Sequence, residues 1–196
     1  MPADNPSGPG FDPVAHAERL LDLFHRRERE LIRLASTDPL TGLANRRAFF
    51  DTLEIEVARS RRYARPLALL MIDVDGLRAV NDTRGHPAGD KLLAALAAIL
   101  REGVREVDLP ARYGGDEFAV LLPETTLDGA AIAAERLRVA VAGASFDDGL
   151  ALTLSLGVAA TPPLDPEGEN LVAQADAALY RAKNSGGNRV ALIEPD

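Results

Sequence analysis

The stretch that most constrains the fold is residues 111–123, ARYGGDEFAVLLP. Gly114 and Gly115 lie between two strand-like runs. They predict a β-hairpin with a two-residue turn, because glycine reaches the positive φ that both turn positions can need. Asp116 and Glu117 follow the glycines directly. Adjacent carboxylates at a tight turn repel each other and contribute little to folding, so this acidic pair indicates a functional requirement.

A second acidic group follows an apolar run. Leu67–Ile72 has the length and composition of a buried strand, and it stops at Asp73 and Asp75. If this strand neighbours the hairpin, Asp73 and Asp116 converge. Two carboxylates with room for water suit Mg²⁺ or Mn²⁺, and two such ions about 4 Å apart can hold the attacking and leaving oxygens of a phosphoryl transfer. The alternative is that these carboxylates, with Glu117, are solvated charges at strand ends.

The rest of the chain alternates between helical and extended patterns, in the order βαββαβ and then αβ. This order predicts one mixed β-sheet flanked by helices, an α/β or α+β fold. The polar stretch at residues 81–90 is interpreted as a loop. The other predicted helices span residues 46–63, 89–101, 127–142 and 169–183, and the other strands span residues 107–113, 117–122, 150–160 and 189–193.

The first 36 residues have a different character. Residues 1–13 contain four prolines and two glycines and are predicted to be a disordered tail. Residues 14–36 are predicted to form a helix that dimerises as a coiled coil, packs on its own domain, or serves as the stalk of an absent sensor. Its heptad a and d positions hold Ala17, Leu20, Phe24, Leu31 and Leu34, with Arg27 as the polar exception.

Composition excludes several classes of protein. The chain has no cysteine, which rules out a disulfide framework and a thiolate metal site. A net charge of -8 disfavours a nucleic-acid-binding surface. The longest apolar run, Leu92 to Leu100, is far shorter than the roughly 20 residues of a membrane helix, and the N-terminus lacks the features of a secretory signal. We therefore expect a cytoplasmic protein without a membrane segment.

Six blocks of sequence together resemble the GGDEF family of diguanylate cyclases, in the same order, from about Thr37 to Val190. The resemblance implies a fold like that of polymerase palms and class III nucleotidyl cyclases, and the condensation of two GTP to cyclic di-GMP and pyrophosphate. On this basis residues 37–196 form the GGDEF domain and residues 14–36 a signalling helix. The blocks are DPLTGLANRRAFF, IDVD, NDTRGHPAGD, RYGGDEF, TLSLGVA and ADAALYRAKNSGGN.

The resemblance assigns the metal and the chemistry to the two acidic groups. It implies that Asp73 and Asp116 bind Mg²⁺ or Mn²⁺ through their side chains, and Val74 through its carbonyl. Glu117 would help to hold the metal or accept the proton of the attacking 3′-hydroxyl, whose pKa the metal lowers. Whether Asp116 or Glu117 is the catalytic base stays open.

The resemblance also implies a nucleotide site. Asn81 and Asp90 match the residues that read guanine, since a carboxylate accepts from guanine N1–H and the exocyclic amine while adenine offers no such donor pair. Ordinary loop and N-cap roles are the alternative for both. His86 either lines the nucleotide or is structural. Gly114 and Gly115 would let the backbone approach the nucleotide.

The basic residues that bind the phosphates in the family are only partly present in this sequence. Lys183 matches the phosphate-contacting lysine of the family, and Arg78 stands where lysine is usual, with a wider, planar head group. Leu77 replaces a usual phenylalanine, which we interpret as a packing change. Gly187 stands where many members have arginine, so we expect a weaker grip on the triphosphate without loss of the chemistry.

A regulatory site is expected ahead of the hairpin. Arg105 and Asp108 match the RxxD inhibitory site for the product, and Arg136 is a further expected contact. Since each domain would hold one GTP, two protomers must meet, through the N-terminal helix or face to face at the active sites. The rival reading is a catalytically weak receptor of cyclic di-GMP. A cyclase that makes a different dinucleotide is disfavoured by Asn81 and Asp90.

Overall fold

The computed structural model describes residues 12–146, 149–161 and 168–193. The chain divides into two compact units between Ser36 and Thr37. The first contains helix α1, Pro13–Ser36. Of the predicted heptad positions, Leu20 and Phe24 are exposed, while the side chains of Leu31 and Leu34 lie outside the described set. Most of the predicted disordered tail also lies outside it.

The second unit is built on one five-stranded sheet in the order β2-β3-β1-β4-β5. The central strand β1 is antiparallel to β3 and β4, whereas β5 is parallel to β4. The predicted mixed sheet flanked by helices is therefore confirmed. The strands are β1 (Leu67–Asp75), β2 (Leu109–Arg112), β3 (Glu117–Pro123), β4 (Thr153–Thr161) and β5 (Val190–Leu192).

Among the described residues of this unit five α-helices pack around the sheet, and one of them is absent from the sequence-based prediction. The predicted loop at residues 81–90 is wrong, because α3 and α4 occupy it with a break only at Gly85, whose φ is +79°. Leu77 and Val80, one helical turn apart, pack on the core and hold the short helix α3 in place. The helices are α2 (Arg46–Tyr63), α3 (Leu77–Arg84), α4 (His86–Glu102), α5 (Leu127–Ala142) and α6 (Gly168–Asn184).

Each face of the sheet carries its own core, because successive strand residues point to opposite faces. Leu70 and Ile72 of β1 belong to the core that includes α4 and α5. Leu69 and Met71 belong to the core that includes α2 and α6. On the second face α6 lies directly on β4, since a Cβ at Gly157 would be 2.1 Å from the Ala175 carbonyl oxygen.

These two faces place the acidic residues. Asp73 and Asp75 continue the alternation of Leu69 and Met71, so both project from the face that α6 covers.

Within the described ranges no helix has the length and apolarity to span a membrane.

Candidate active site

The hairpin turn has a different geometry from the one predicted. Tyr113 and Gly114 donate their N–H groups to the Glu117 carbonyl, at 2.9 and 3.0 Å, so the turn contains three residues rather than two. Neither glycine has positive φ. A Cβ at Gly114 would lie 2.6 Å from Oε2 of Glu117, the end of a flexible side chain that can move, and 3.3 Å from its Cβ, whereas a Cβ at Gly115 would meet nothing.

Arg112 fixes the carbonyl groups of this turn. Its Nε donates to the Gly114 carbonyl (3.2 Å) and its Nη2 to the Gly115 carbonyl (2.8 Å). Nη1 lies 3.2 Å from Asp38 Oδ1 and 3.3 Å from Oδ2. Burial raises the pKa of Asp38, but hydrogen bonds from Thr41 and the charge of Arg112 outweigh it and lower the pKa overall. The turn is thus tied to the loop before α2.

Asp73 is the most enclosed carboxylate of the group. It lies opposite Glu117 on β3 and Ser155 on β4, and it is 8% exposed. Burial raises its pKa, the ammonium of Lys183 opposes that rise, and the charges of Asp116 and Asp75 add to it. Nζ of Lys183 is 2.5 Å from Asp73 Oδ2. Asp73 and the exposed Asp116 are therefore close enough to interact electrostatically.

Asp75 has a structural task that the sequence did not reveal. Its Oδ1 accepts from Ser155 Oγ (2.7 Å), and its Oδ2 accepts from Thr153 Oγ1 (2.8 Å) and from the Asn188 N–H (2.9 Å). Gly187, at φ +69°, presses against the same carboxylate, since a Cβ there would lie 3.1 Å from Oδ1. Asp75 therefore anchors the segment after α6 beside Asp73.

These residues border one open cavity of about 530 Å³. Its lining includes Asp73, Val74, Asp75, Lys183 and the segment at residues 186–188. The Val74 N–H donates to the Asp116 carbonyl at 3.2 Å, which joins the end of β1 to the turn. Carboxylates and a cation thus meet in a cavity of the size that small-molecule sites occupy.

The donor set of this cavity fits Mg²⁺ or Mn²⁺. The ligands are hard carboxylate oxygens, and a buried carboxylate with two negative neighbours needs cationic charge. No three His, Cys, Asp or Glu side chains form a metal-binding group within the described part of the chain. Mg²⁺ needs only one or two carboxylates when phosphates and water complete its octahedron. Asp73 and Asp116 would supply that pair.

The predicted guanine readers meet where α3 packs on α4. Asn81 lies on α3, and a Cβ at Gly89 would be 2.0 Å from its Oδ1. That oxygen is buried without a hydrogen-bond partner in the described structure. Asp90, next to Gly89 on α4, is exposed, as is His86 at the start of α4. The pair Asn81 and Asp90 is therefore brought together at one junction.

Arg78 is not among the residues that line the cavity beside Asp73. Its side chain is 94% exposed on α3, with Nε 3.9 Å from Asp82 Oδ2. Its contact with phosphate stays a prediction. Lys183, by contrast, lines the cavity directly.

The predicted inhibitory residues lie around the turn between α4 and β2. The N–H of Arg105 donates to Asp108 Oδ2 at 2.8 Å, and Asp108 Oδ1 is buried without a partner among the described residues. Arg136 reaches across from α5 to the Gly103 carbonyl at 2.8 Å. Arg105 also lines a cavity of about 440 Å³ with Arg59 and Arg65, two cations of α2 and its exit that no sequence pattern identified.

Sequence comparisons with known proteins find diguanylate cyclases. A family model described as diguanylate cyclase, GGDEF domain, matches residues 35–189. The diguanylate cyclase DgcP of Pseudomonas aeruginosa is 44% identical over 183 residues, 92% of this chain and 27% of that protein. The response regulator PleD of Caulobacter vibrioides is 40% identical over 178 residues, 88% of this chain and 39% of that protein.

Solved structures give the same fold. The coiled coil and GGDEF domain of DgcB from Caulobacter crescentus, in complex with c-di-GMP, matches with a TM-score of 0.84 and 31% identity. The match covers 91% of this chain and 96% of that one. The chain spans less than half of the length of both curated relatives. Because the family model covers most of its residues, the chain belongs to the GGDEF domain family of diguanylate cyclases.

Proposed function

We propose that this protein is a Mg²⁺-dependent diguanylate cyclase. Two GTP would be joined when each 3′-hydroxyl attacks the α-phosphorus of the other and pyrophosphate leaves twice. The observation that carries the proposal is the pairing of Asp73 and Lys183 at one cavity, with Asp116 of the glycine turn close enough to Asp73 to interact electrostatically. The resemblance to DgcP, a named diguanylate cyclase, supports it over 92% of the chain.

Each residue at the cavity has a defined part in this proposal. Asp73 and Asp116 would hold Mg²⁺ with the Val74 carbonyl, and Lys183 would exchange its contact with Asp73 for a phosphate oxygen. When bound, Mg²⁺ lowers the pKa of the attacking hydroxyl and neutralises phosphate charge. Glu117, directly opposite Asp73, or Asp116 would accept the hydroxyl proton. Gly114 and Gly115 would leave room for the nucleotide.

Guanine specificity would come from the α3–α4 junction. Asn81 Oδ1 is buried against Gly89 without a partner, so a rotation of this side chain would be needed for it to accept from the exocyclic amine of guanine, and the Asp90 carboxylate could accept from N1–H. ATP offers neither donor, and leaving the Asn81 acceptor without a partner would cost about 1–3 kcal/mol, whereas the exposed Asp90 carboxylate would stay hydrated. His86, at the same junction, would border the nucleotide.

Assembly and feedback complete the proposal. Two protomers would meet through the exposed apolar residues of α1 or face to face, so that each supplies one GTP. Cyclic di-GMP would bind at Arg105, Asp108 and Arg136 and inhibit noncompetitively. DgcB, which is similar to this chain, has been crystallised with c-di-GMP.

The direct test is incubation with GTP and Mg²⁺, followed by chromatographic separation of the products, with ATP in parallel. Cyclic di-GMP and pyrophosphate are expected from GTP alone. Absence of product, together with binding of cyclic di-GMP, would favour the rival receptor function, in which Arg105 and its cationic neighbours bind the ligand without turnover. A different dinucleotide would contradict the assignment of Asn81 and Asp90.

The feedback site has its own test. Arg105→Ala should relieve inhibition by added cyclic di-GMP, while Glu106→Ala, a change to an exposed side chain in the same turn, should leave inhibition unchanged. Unaltered inhibition in Arg105→Ala would refute the assignment.

A further inference from the structure

We propose that Arg138 of α5 is a positioning residue for the active-site cavity and acts through Asn188. The inference rests on the proposed cyclase activity for its kinetic consequence and on the geometry of residues 186–188 for its structural one. Nη1 of Arg138 donates to Asn188 Oδ1 at 2.7 Å, across 50 residues of sequence.

The segment that Arg138 contacts is conformationally demanding. Gly186, Gly187 and Asn188 have φ values of +109°, +69° and +47° in succession. Glycine adopts such values freely and asparagine does so more readily than most residues, but three in a row need external restraint. One restraint is the hydrogen bond from the Asn188 N–H to Asp75. The other is the bond from Arg138.

Arg138 is itself held rigidly, which makes it an effective restraint. Its Nε and Nη2 form a two-pronged contact with Glu135, at 2.9 and 2.6 Å. The side chain of Arg138 is only 19% exposed, although Glu135 is 52% exposed. The two hydrogen bonds to Glu135 already fix the guanidinium of Arg138. The bond from Nη1 to Asn188 therefore costs little additional side-chain entropy of Arg138.

The restrained segment forms a wall of the catalytic cavity. Gly186, Gly187 and Asn188 line the same space as Asp73 and Lys183. Gly187 carries no cationic side chain, so the backbone of this segment is what it offers to a phosphate. Releasing Asn188 from Arg138 would let the wall move away from Lys183, which weakens substrate binding rather than the chemical step.

The test compares Arg138→Gln, Asn188→Gly and the double variant, with Val139→Ala as control. Asn188→Gly removes the acceptor while keeping the left-handed backbone, and Val139 is an exposed neighbour on the same helix. We expect each single variant to raise KM for GTP about tenfold with kcat within about twofold. A tenfold change corresponds to about 1.4 kcal/mol, which is about the contribution of one hydrogen bond to a charged group. The double variant should be no worse than either single one, because both remove one interaction.

A second readout does not depend on activity. Hydrogen exchange of the peptide covering residues 184–190 should be faster in Arg138→Gln and Asn188→Gly than in wild type, and unchanged in Val139→Ala. Unchanged exchange in Arg138→Gln would overturn the inference, as would additive effects on KM in the double variant. An inactive wild type would refute the proposed function alone, since the exchange result would still decide the role of Arg138.

Discussion

Arg112 should be the side chain on which the turn between β2 and β3 most depends. Arg112→Ala removes two donors from the carbonyls of Gly114 and Gly115 and leaves Asp38 without its guanidinium. Arg112 and Asp38 are each 17% exposed. The turn that carries Asp116 would then lose its connection to the loop before α2.

The size of the effect follows from these contacts. Breaking a buried ion pair costs about 3–5 kcal/mol, whereas exposed pairs are worth about 0–1 kcal/mol. A pair that retains some exposure falls between them, so we expect the free energy of unfolding to drop by about 2–3 kcal/mol. For a domain of this size that loss corresponds to a fall in Tm of about 4–12 °C.

Thermal and urea unfolding of wild type, Arg112→Ala and Arg112→Lys would measure this loss in the free energy of unfolding. Lysine keeps the charge without the fork and should be intermediate. Arg101→Ala is the matched control, because Arg101 gives the same loop a hydrogen bond at the Thr41 carbonyl without touching the hairpin. A loss no greater in Arg112→Ala than in this control would refute the reasoning.

The pH dependence of the same variants gives an independent check. Since the pKa of Asp38 is lowered in the folded protein, its contribution to stability is present above the unfolded value of about 3.9 and is lost as pH falls through the folded value. Arg112→Ala removes one cause of the lowered pKa but keeps the larger ones, the hydrogen bonds from Thr41, so it should lose somewhat less additional stability in acid than wild type does. An equally steep acid loss in both would show that Arg112 is not the partner that matters.

Three further perturbations test other parts of the account. Gly157→Ala should lower the free energy of unfolding by about 3 kcal/mol or more in urea titrations, because its Cβ would meet backbone atoms of α6. Asp73→Asn should abolish product formation. It should also stabilise the metal-free fold near pH 7. The pKa of Asp73 is raised in the folded protein, so wild type loses stability as pH rises through that pKa, and asparagine does not ionise. Removing residues 1–36 should make specific activity depend more steeply on protein concentration.

The sequence predicted the elements whose periodicity matches their burial. Helices α2 and α5 begin and end at the predicted residues, 46–63 and 127–142, because capping residues Asn45 and Thr126 precede clear helical patterns. Helix α3 was missed because most of its residues are polar or exposed. It is held by tertiary packing of a few apolar side chains, which local propensity does not report.

The sequence predicted which motif residues would lie close together, but not the contacts made by residues outside the motifs. Asp73 and Asp116 were expected to converge, and the electrostatic interaction between them agrees with that expectation. Asp75 was named together with Asp73, but its anchoring contacts were not predicted, although the two-residue spacing places both side chains on one face. Arg138 and Asn188 could not be predicted to meet, because their contact depends on how α5 packs beside the end of α6. The glycine turn was predicted in the right place but for the wrong reason, since neither Gly114 nor Gly115 has positive φ.

The central claim is that Asp73 and Asp116 bind one divalent cation together. Mn²⁺ titration in the presence of a nonhydrolysable GTP analogue, followed by electron paramagnetic resonance, measures this directly for wild type, Asp73→Asn and Asp116→Asn. The account predicts that each single variant weakens Mn²⁺ binding by at least about tenfold, the effect of losing one of two protein carboxylates. Wild-type affinity in either variant would contradict it.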